Sequence, residues 1–299
     1  MHEAAPLISV VVRSQGRPSL ARSLASVASQ TWRPLEIVIV NAGTSLIVPP
    51  PARPGLASRV IGGGPYDRPR AANAGLDAAR GEWIVFLDDD DAFMPDHVES
   101  LWRAAAGSGA LVAYSATQCL DEQGRTAKTL AMDFDRLKLY SLNYIQIGAA
   151  LFSRTLVAEG CRFDEEFECL QDWDFWLQLA QRTHFVHTGL ATNLWSAFSG
   201  ASGCGMGANS DERQFDRFSE LLSRKWKATG TALRHKVDHH NRLAREALGR
   251  GFPERADAHM VLAERLLRGP VRTPGTRVTN ARRRKAAGVD TRSQDMADN

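Results

Sequence analysis

The sequence predicts an α/β chain: a mostly parallel sheet flanked by helices, followed by a C-terminal extension made of helices alone. Three observations carry this. Continuous apolar runs alternate with amphipathic stretches as far as Ser115, the pattern of β-α-β units. One of those runs, Trp83–Leu87, passes directly into four consecutive aspartates. From about Asn209 to Arg268 helical periodicity is left on its own, broken at Gly249–Pro253 into a hairpin.

The elements follow in order. Leu7–Val12 is a continuous, β-branched run, as in a strand buried on both faces. Pro18 opens a helix whose Leu20, Leu24 and Val27 share a face. Leu35–Val40 is a second buried strand, and Arg59–Ile61 a short third one. Ala71–Ala79 is helical, with Gly81 as its stop. Trp83–Leu87 is a strand, Pro95–Ala106 a helix and Ala110–Ser115 a strand. Beyond residue 116 the pattern changes. Asp121–Gly124 is a turn between two strands, Ile147–Phe152 is strand-like and Asp172–Arg182 is a helix. Phe198–Gly207, rich in Gly and Ser, is a flexible loop. Arg282–Lys285 lies in a polar tail expected to be disordered.

Composition narrows the function. With 299 residues the chain buries roughly 75% of its unfolded surface and needs no stabilising metal or disulfide. A net charge of +3 does not argue for nucleic acid. The four cysteines, Cys119, Cys161, Cys169 and Cys204, form no CxxC pair and no zinc spacing, so reduced thiols are expected. The start of the chain lacks a charged n-region and a full apolar h-region. No apolar run approaches the ~20 residues of a membrane helix. A cytoplasmic protein is the expectation, with the inner face of the membrane as an option.

Chemistry concentrates at Asp88–Asp91. Ligands of open α/β sheets bind beyond the carboxyl ends of the strands. Adjacent carboxylates repel unless something positive binds them, and a hard divalent cation such as Mg²⁺ or Mn²⁺ prefers oxygen ligands. Such a cation would bridge them to a diphosphate. In an extended chain Asp88 and Asp90 share one face and Asp89 takes the other. The plainer alternative makes Asp91 a helix cap and the rest solvated acids.

Five stretches then resemble the family-2 glycosyltransferases, which have the GT-A (Rossmann-like) fold. They are Leu7–Arg17 (LISVVVRSQGR), Ser26–Trp32 (SVASQTW), Leu35–Ser45 (LEIVIVNAGTS), Ala71–Asp91 (AANAGLDAARGEWIVFLDDDD) and Phe163–Leu177 (FDEEFECLQDWDFWL). Their order is the family's, and together they cover roughly residues 7–200. The resemblance implies transfer of a sugar from a nucleotide-diphosphate donor to an acceptor hydroxyl, with inversion.

It also implies roles. Asp90 takes the last acidic position of the DxD motif, the metal ligand, with Asp88 beside it. Asp89 matches a ribose contact, and Asp172 the general base, with Asp174 two residues on. On a helix only one of that pair readily faces the sugar. The family's paired aspartates after the second strand are replaced by Asn41 and Ala42. Asn41 still has an acceptor for a uracil N3–H, so a UDP-sugar remains the default donor. Arg13 and Arg70 are candidates for the phosphates, with Arg68 as the alternative to Arg70. Trp173 and Trp176 flank the acceptor position, where an aromatic face packs on a sugar or simply fills core. Trp195–Gly203 lacks the Arg and His that family members often carry there.

The expected organisation is a GT-A glycosyltransferase domain over 1–208, nucleotide-binding over 7–116 and acceptor-binding over 117–208. A helical extension over 209–268 and a basic tail over 269–299 follow. The extension is expected to be non-catalytic. Arg224, Lys225 and Lys227 beside Trp226 suggest peripheral contact with an anionic membrane, against a plain solvated face. The alternative function is a catalytically degenerate module that binds a nucleotide sugar or glycan. A dinucleotide-dependent oxidoreductase is disfavoured because the glycine fingerprint is absent.

Overall fold

The computed structural model describes residues 5–199, 205–207 and 210–271. Four parallel strands form its first half: β1 (Ile8–Ser14), β2 (Leu35–Asn41), β3 (Leu56–Gly62) and β4 (Trp83–Asp88). Every residue of β1 and β2 is buried, as continuous apolar runs require of strands covered on both faces. Crossovers are made by α1 (Leu20–Ala28) and α2 (Arg68–Ala78). The Asp67 carboxylate caps α2 by accepting from the Arg70 amide at 2.9 Å. The helix begins three residues before the predicted Ala71, because that cap and Pro69 start it there.

Two residues of α2 explain its Asn-x-Gly pattern. A Cβ on Gly75 would stand 2.3 Å from Val11 Cγ1, so only glycine lets the helix lie this close to β1. Asn73 donates to the Phe163 carbonyl at 2.9 Å and accepts from the Phe163 amide at 3.0 Å. It thus stitches the first half of the chain to the second. Gly81 does not end α2, whose last helical residue is Ala78.

The second half is mixed rather than parallel. After β5 (Ala92–Phe93) and α3 (His97–Ser108) come β6 (Val112–Leu120) and β7 (Thr126–Leu130), joined by the predicted turn. Next are α4 (Arg136–Leu139), β8 (Ala150–Ser153), α5 (Arg154–Ala158), α6 (Gln171–Ala180) and β9 (Phe185–Trp195). The predicted strand Ile147–Phe152 is half a 3₁₀ turn, Ile147–Ala149, with β8 after it. β8 inserts antiparallel between β4 and β6, giving the order β3-β2-β1-β4-β8-β6-β9-β5 with β7 paired to β6. One apolar cluster packs α2 and α6 on one face of the sheet, and a second packs α1 and α3 on the other.

The chain closes with α7 (Glu212–Gly249) and α8 (Pro253–Arg268), broken where the sequence predicts. Phe218 and Leu222 of α7 join the core around α6. The extension is therefore packed against the sheet domain. No described helix is long and apolar enough to cross a membrane. Cys119, Cys161 and Cys169 form no disulfide, while Cys204 and the tail from residue 272 lie outside the described residues.

Candidate active site

A cavity of about 710 Å³ opens at the carboxyl ends of β1 and β4. Arg13, Ser14, Gln15, Arg17, Tyr66 and Arg68 line it together with Asp88, Asp89 and Asp90. Asn143, Asp172, Trp195 and Phe215 line it as well. A second, more open depression around Arg59, Arg80 and Arg154 lies by Glu82, at the other end of β4, and lacks such a carboxylate cluster.

Strand register builds the first part of the site. Arg13 and Asp88 are partners on one rung of the β1–β4 ladder. The guanidinium donates to Asp88 Oδ1 from Nε at 2.9 Å and from Nη2 at 2.6 Å. Arg13 is buried, and its Nη1 has no partner among the described residues. A buried guanidinium donor left open at a cavity matches an anionic ligand.

The chain does not stay extended past Asp88. The Asp91 amide donates to the Asp88 carbonyl at 3.1 Å, closing a turn that separates the four acids. Asp89 is buried and accepts from Ser14 Oγ at 2.7 Å and from the Gln15 amide at 3.1 Å. Arg17 reaches across Asp89 at 3.4 Å and Asp90 at 3.2 Å. Asp91 does not cap a helix. Wholly buried, it accepts from the Ser196 amide at 2.9 Å and from Gln146 at 3.1 Å. Ser196 and Arg22 both donate to the Asp90 carbonyl. Burial, with Asp88 and Asp89 nearby, raises the Asp90 carboxyl above its ordinary value, and Arg17 opposes that.

The two acids of α6 separate as helical geometry demands. Asp172 faces the cavity, held by Asn143 Nδ2 at 3.3 Å and by the Trp173 amide at 2.8 Å. Burial raises its pKa, Asn143, the Trp173 amide and Arg13 pull it down, and Asp88 pushes it up again. Asp172 thus shares an electrostatic environment with Arg13 and Asp88. Asp174 points away and is fully buried. It accepts from Lys225 Nζ at 2.9 Å and from Trp226 Nε1 at 2.8 Å, clamping α7 to α6. Leu170, just before the helix, has φ of 60°, a strained conformation for a branched residue.

Some expected site residues lie outside the cavity lining. Asn41 is engaged by its own loop: Nδ2 donates to the Ser45 carbonyl at 2.8 Å and Oδ1 accepts from the Gly43 amide at 3.1 Å. Arg70 turns out to Glu165 at 3.2 Å and Asp67 at 3.5 Å, and Arg68 lines the cavity instead. Trp173 and Trp176 are core residues whose indoles donate to the Leu139 and Ile145 carbonyls at 2.6 Å and 2.8 Å. They support the 139–145 segment, and the aromatics that line the cavity are Tyr66, Tyr144, Trp195 and Phe215. Lys225 and Trp226 are spent on Asp174 and do not form a free basic-aromatic patch. Sequence reasoning missed Arg17, Tyr66 and Asn143. Only the nearness of Arg17 to β1 could have signalled any of them.

Residues 8–161 match the profile of Glycosyl transferase family 2. The uncharacterised glycosyltransferase YwdF of Bacillus subtilis is 30% identical over 226 residues, 71% of this chain and 83% of that protein. The PGL/p-HBAD biosynthesis glycosyltransferase of Mycobacterium tuberculosis is 29% identical over 67% of this chain and 80% of that one. Among solved structures, S. aureus TarS 1–349 in complex with UDP-GlcNAc superposes with a TM-score of 0.53 at 16% identity, covering 84% of this chain and 83% of that one. Mannosyltransferase PcManGT from Pyrobaculum calidifontis, in complex with GDP-Man and Mn²⁺, does so with 0.51 at 13% identity, covering 87% of each. These likenesses place the fold among GT-A glycosyltransferases. With its profile match and its relatives, the chain belongs to glycosyl transferase family 2 and is a glycosyltransferase.

Proposed function

We propose that the protein is an inverting, metal-assisted glycosyltransferase that moves a sugar from a nucleoside-diphosphate donor to an acceptor hydroxyl, with Asp172 as general base. The observation that carries this reading is one cavity lined both by the Arg13–Asp88–Asp90 cluster and by Asp172. In the step, the acceptor oxygen bonds to the anomeric carbon while the bond from that carbon to the diphosphate oxygen breaks. The nucleoside diphosphate leaves with the electron pair, and the hydroxyl proton goes to a carboxylate oxygen of Asp172. A single displacement inverts the anomeric centre. The raised pKa of Asp172 brings it toward the operating pH, where a base combines correct protonation with driving force.

Arg13, with its open Nη1, and Arg68 are suited to the diphosphate. Asp89, a buried carboxylate against Ser14 and Gln15, stands where the ribose contact belongs by resemblance. Tyr66 and Ala42 line the cavity where the base contact expected of Asn41 is not offered. UDP is the first donor nucleotide to test and GDP the second, after the nucleotides bound by TarS and PcManGT.

The donor set fits a hard cation. Asp88 is bonded by Arg13 through Oδ1, and Asp90 by Arg17 through Oδ2, which leaves carboxylate lone pairs for a cation; among the described residues no group of three metal-ligating side chains forms. Two carboxylate oxygens completed by substrate phosphates are how Mg²⁺ is commonly bound. Asp90, with Asp88, would hold Mn²⁺ or Mg²⁺, and the bound cation would supply charge stabilisation for the departing diphosphate.

The test is a thermal-shift and turnover screen on the full chain. UDP and GDP are compared with and without Mn²⁺, and then their sugar conjugates are assayed for release of nucleoside diphosphate. Binding of one nucleotide, strengthened by Mn²⁺ and weakened in Asp90→Ala, is the expected result. Nucleotide binding without any acceptor-dependent release would leave a binding module and overturn the catalytic reading.

A further inference from the structure

Among the described residues, most side chains around the cavity are polar or charged, yet two large apolar ones stand open in it. Leu142 is 49% exposed and Phe215 48%. The position of Phe215 is set by α7. Phe215, Phe218, Leu222 and Trp226 recur on one helix face, and the last three pack into the core around α6. The stripe that seals the core elsewhere ends at Phe215 over the cavity. Leu142 directly precedes Asn143, whose amide holds Asp172. Half-buried Leu130, Trp195 and Met206 line the same cavity. Apolar surface left open in a ligand groove is surface a ligand covers.

A free sugar matches this wall poorly. A ring face has Trp195 and Tyr66 to stack on elsewhere in the cavity, but sugar hydroxyls call for polar partners, which the Leu142 and Phe215 side chains do not offer. We infer that the acceptor is an amphiphile, a hydroxyl compound whose neighbouring part is an apolar alkyl or aryl group seated on Leu142 and Phe215. This deepens the proposed function and rests on it, since it takes Asp172 to mark the acceptor hydroxyl.

The test uses three probes with one sugar head: methyl, phenyl and octyl β-D-glucopyranoside, the last kept below its micelle concentration. Binding to the full chain, in the presence of Mn²⁺ and UDP or GDP, is followed by saturation-transfer NMR and calorimetry. The phenyl or the octyl compound is expected to bind at least ~10-fold tighter than the methyl compound, as burial of one large apolar group allows. A stronger phenyl compound assigns an aryl group, and a stronger octyl compound an alkyl chain. Leu142→Ser and Phe215→Ser should each remove most of that preference while nucleotide affinity stays unchanged. Leu248→Ser, at an exposed apolar site outside the cavity lining, should leave it intact. Equal binding of all three probes, or an equal loss in Leu248→Ser, overturns the inference. Failure of the wild-type chain to bind either nucleotide overturns the functional reading instead.

Discussion

The two walls of the cavity are assembled in opposite ways. On the side proposed for the donor, Arg13 and Asp88 are rung partners, and the acids are four consecutive residues. Backbone hydrogen bonding alone brings those charges together. On the side proposed for the acceptor, Asn143, Asp172, Trp195 and Phe215 come from four segments that no common strand ladder joins. Buried side chains hold them in place: the indoles of Trp173 and Trp176, and Asp174 against Lys225 and Trp226. The lesson is a division of labour. Charged groups stand on strand ends that the sheet makes rigid. Asn143, Asp172 and Phe215 stand on segments whose position depends on tertiary clamps.

The sharpest way to break the comparison is to separate the walls chemically. Asp172→Asn keeps the shape and removes the proposed base. Turnover should fall by about 10²–10⁴-fold, with nucleotide affinity nearly unchanged. A base must be deprotonated, so wild-type kcat should climb with pH through a value above the ordinary carboxylate range. Turnover of Asp172→Asn at the wild-type rate with a genuine acceptor would remove Asp172 from the mechanism.

Next in size is the clamp. Asp174→Ala strands the Trp226 indole and leaves Lys225 with Asp164 as its one acidic partner. Removing one partner of a fully buried ion pair costs about 3–5 kcal/mol. Lys225 keeps about a third of its exposure, so roughly 2–3 kcal/mol is expected. Denaturant unfolding measures it, and a loss below about 0.5 kcal/mol would show that the clamp does not hold α7.

A smaller effect with two signs belongs to Arg17, which lies on the carboxylates proposed for the cation. Arg17→Gln should weaken nucleotide binding about 10-fold, the size of a charge-assisted hydrogen bond. It should also tighten binding of Mn²⁺ alone, because a competing cation is gone. Calorimetry with each ligand separately checks both signs, and a weaker Mn²⁺ affinity would contradict the competition.

At neutral pH the smallest effect lies outside the cavity, and it grows as pH falls. His97 is wholly buried, with Nε2 donating to the Gly148 carbonyl at 3.0 Å and Nδ1 accepting from Thr192 at 2.7 Å. Burial lowers its pKa to about 3, against an ordinary value near 6.5. Between those values the unfolded chain binds a proton that the folded chain refuses. Stability is therefore full above about pH 6.5 and falls as pH drops, by about 1.4 kcal/mol for each unit below it. His97→Asn should lower stability at pH 7.5 yet flatten that slope. Parallel curves for the two proteins would show that His97 is not the group responsible.

How much was legible follows the same division. The first four strands and their order of appearance read directly, because strands buried on both faces leave continuous apolar runs. Asp88–Asp90 and Asp172 could be named as site candidates, and the structure places all of them in one cavity. Arg68 and Arg70 could not be told apart, since which of two nearby helical residues faces a cavity depends on how the helix is rotated against the sheet. The tryptophans of α6 looked like sugar platforms because an aromatic beside a proposed base carries the same letters whether it is open or sealed.

The sequence by itself determined the alternation of elements, the helical hairpin at the end and the cluster of acids at a strand end. Those are consequences of local periodicity and of backbone hydrogen bonding, which short stretches of chain encode. Only the tertiary structure decided how each polar group is spent. Asn41 turns inward to its own loop, Asp174 is consumed by Lys225 and Trp226, and Arg17 lies across Asp89 and Asp90. A donor or charge has one geometry to satisfy at a time, and its partner, often more than fifty residues away, is chosen by packing.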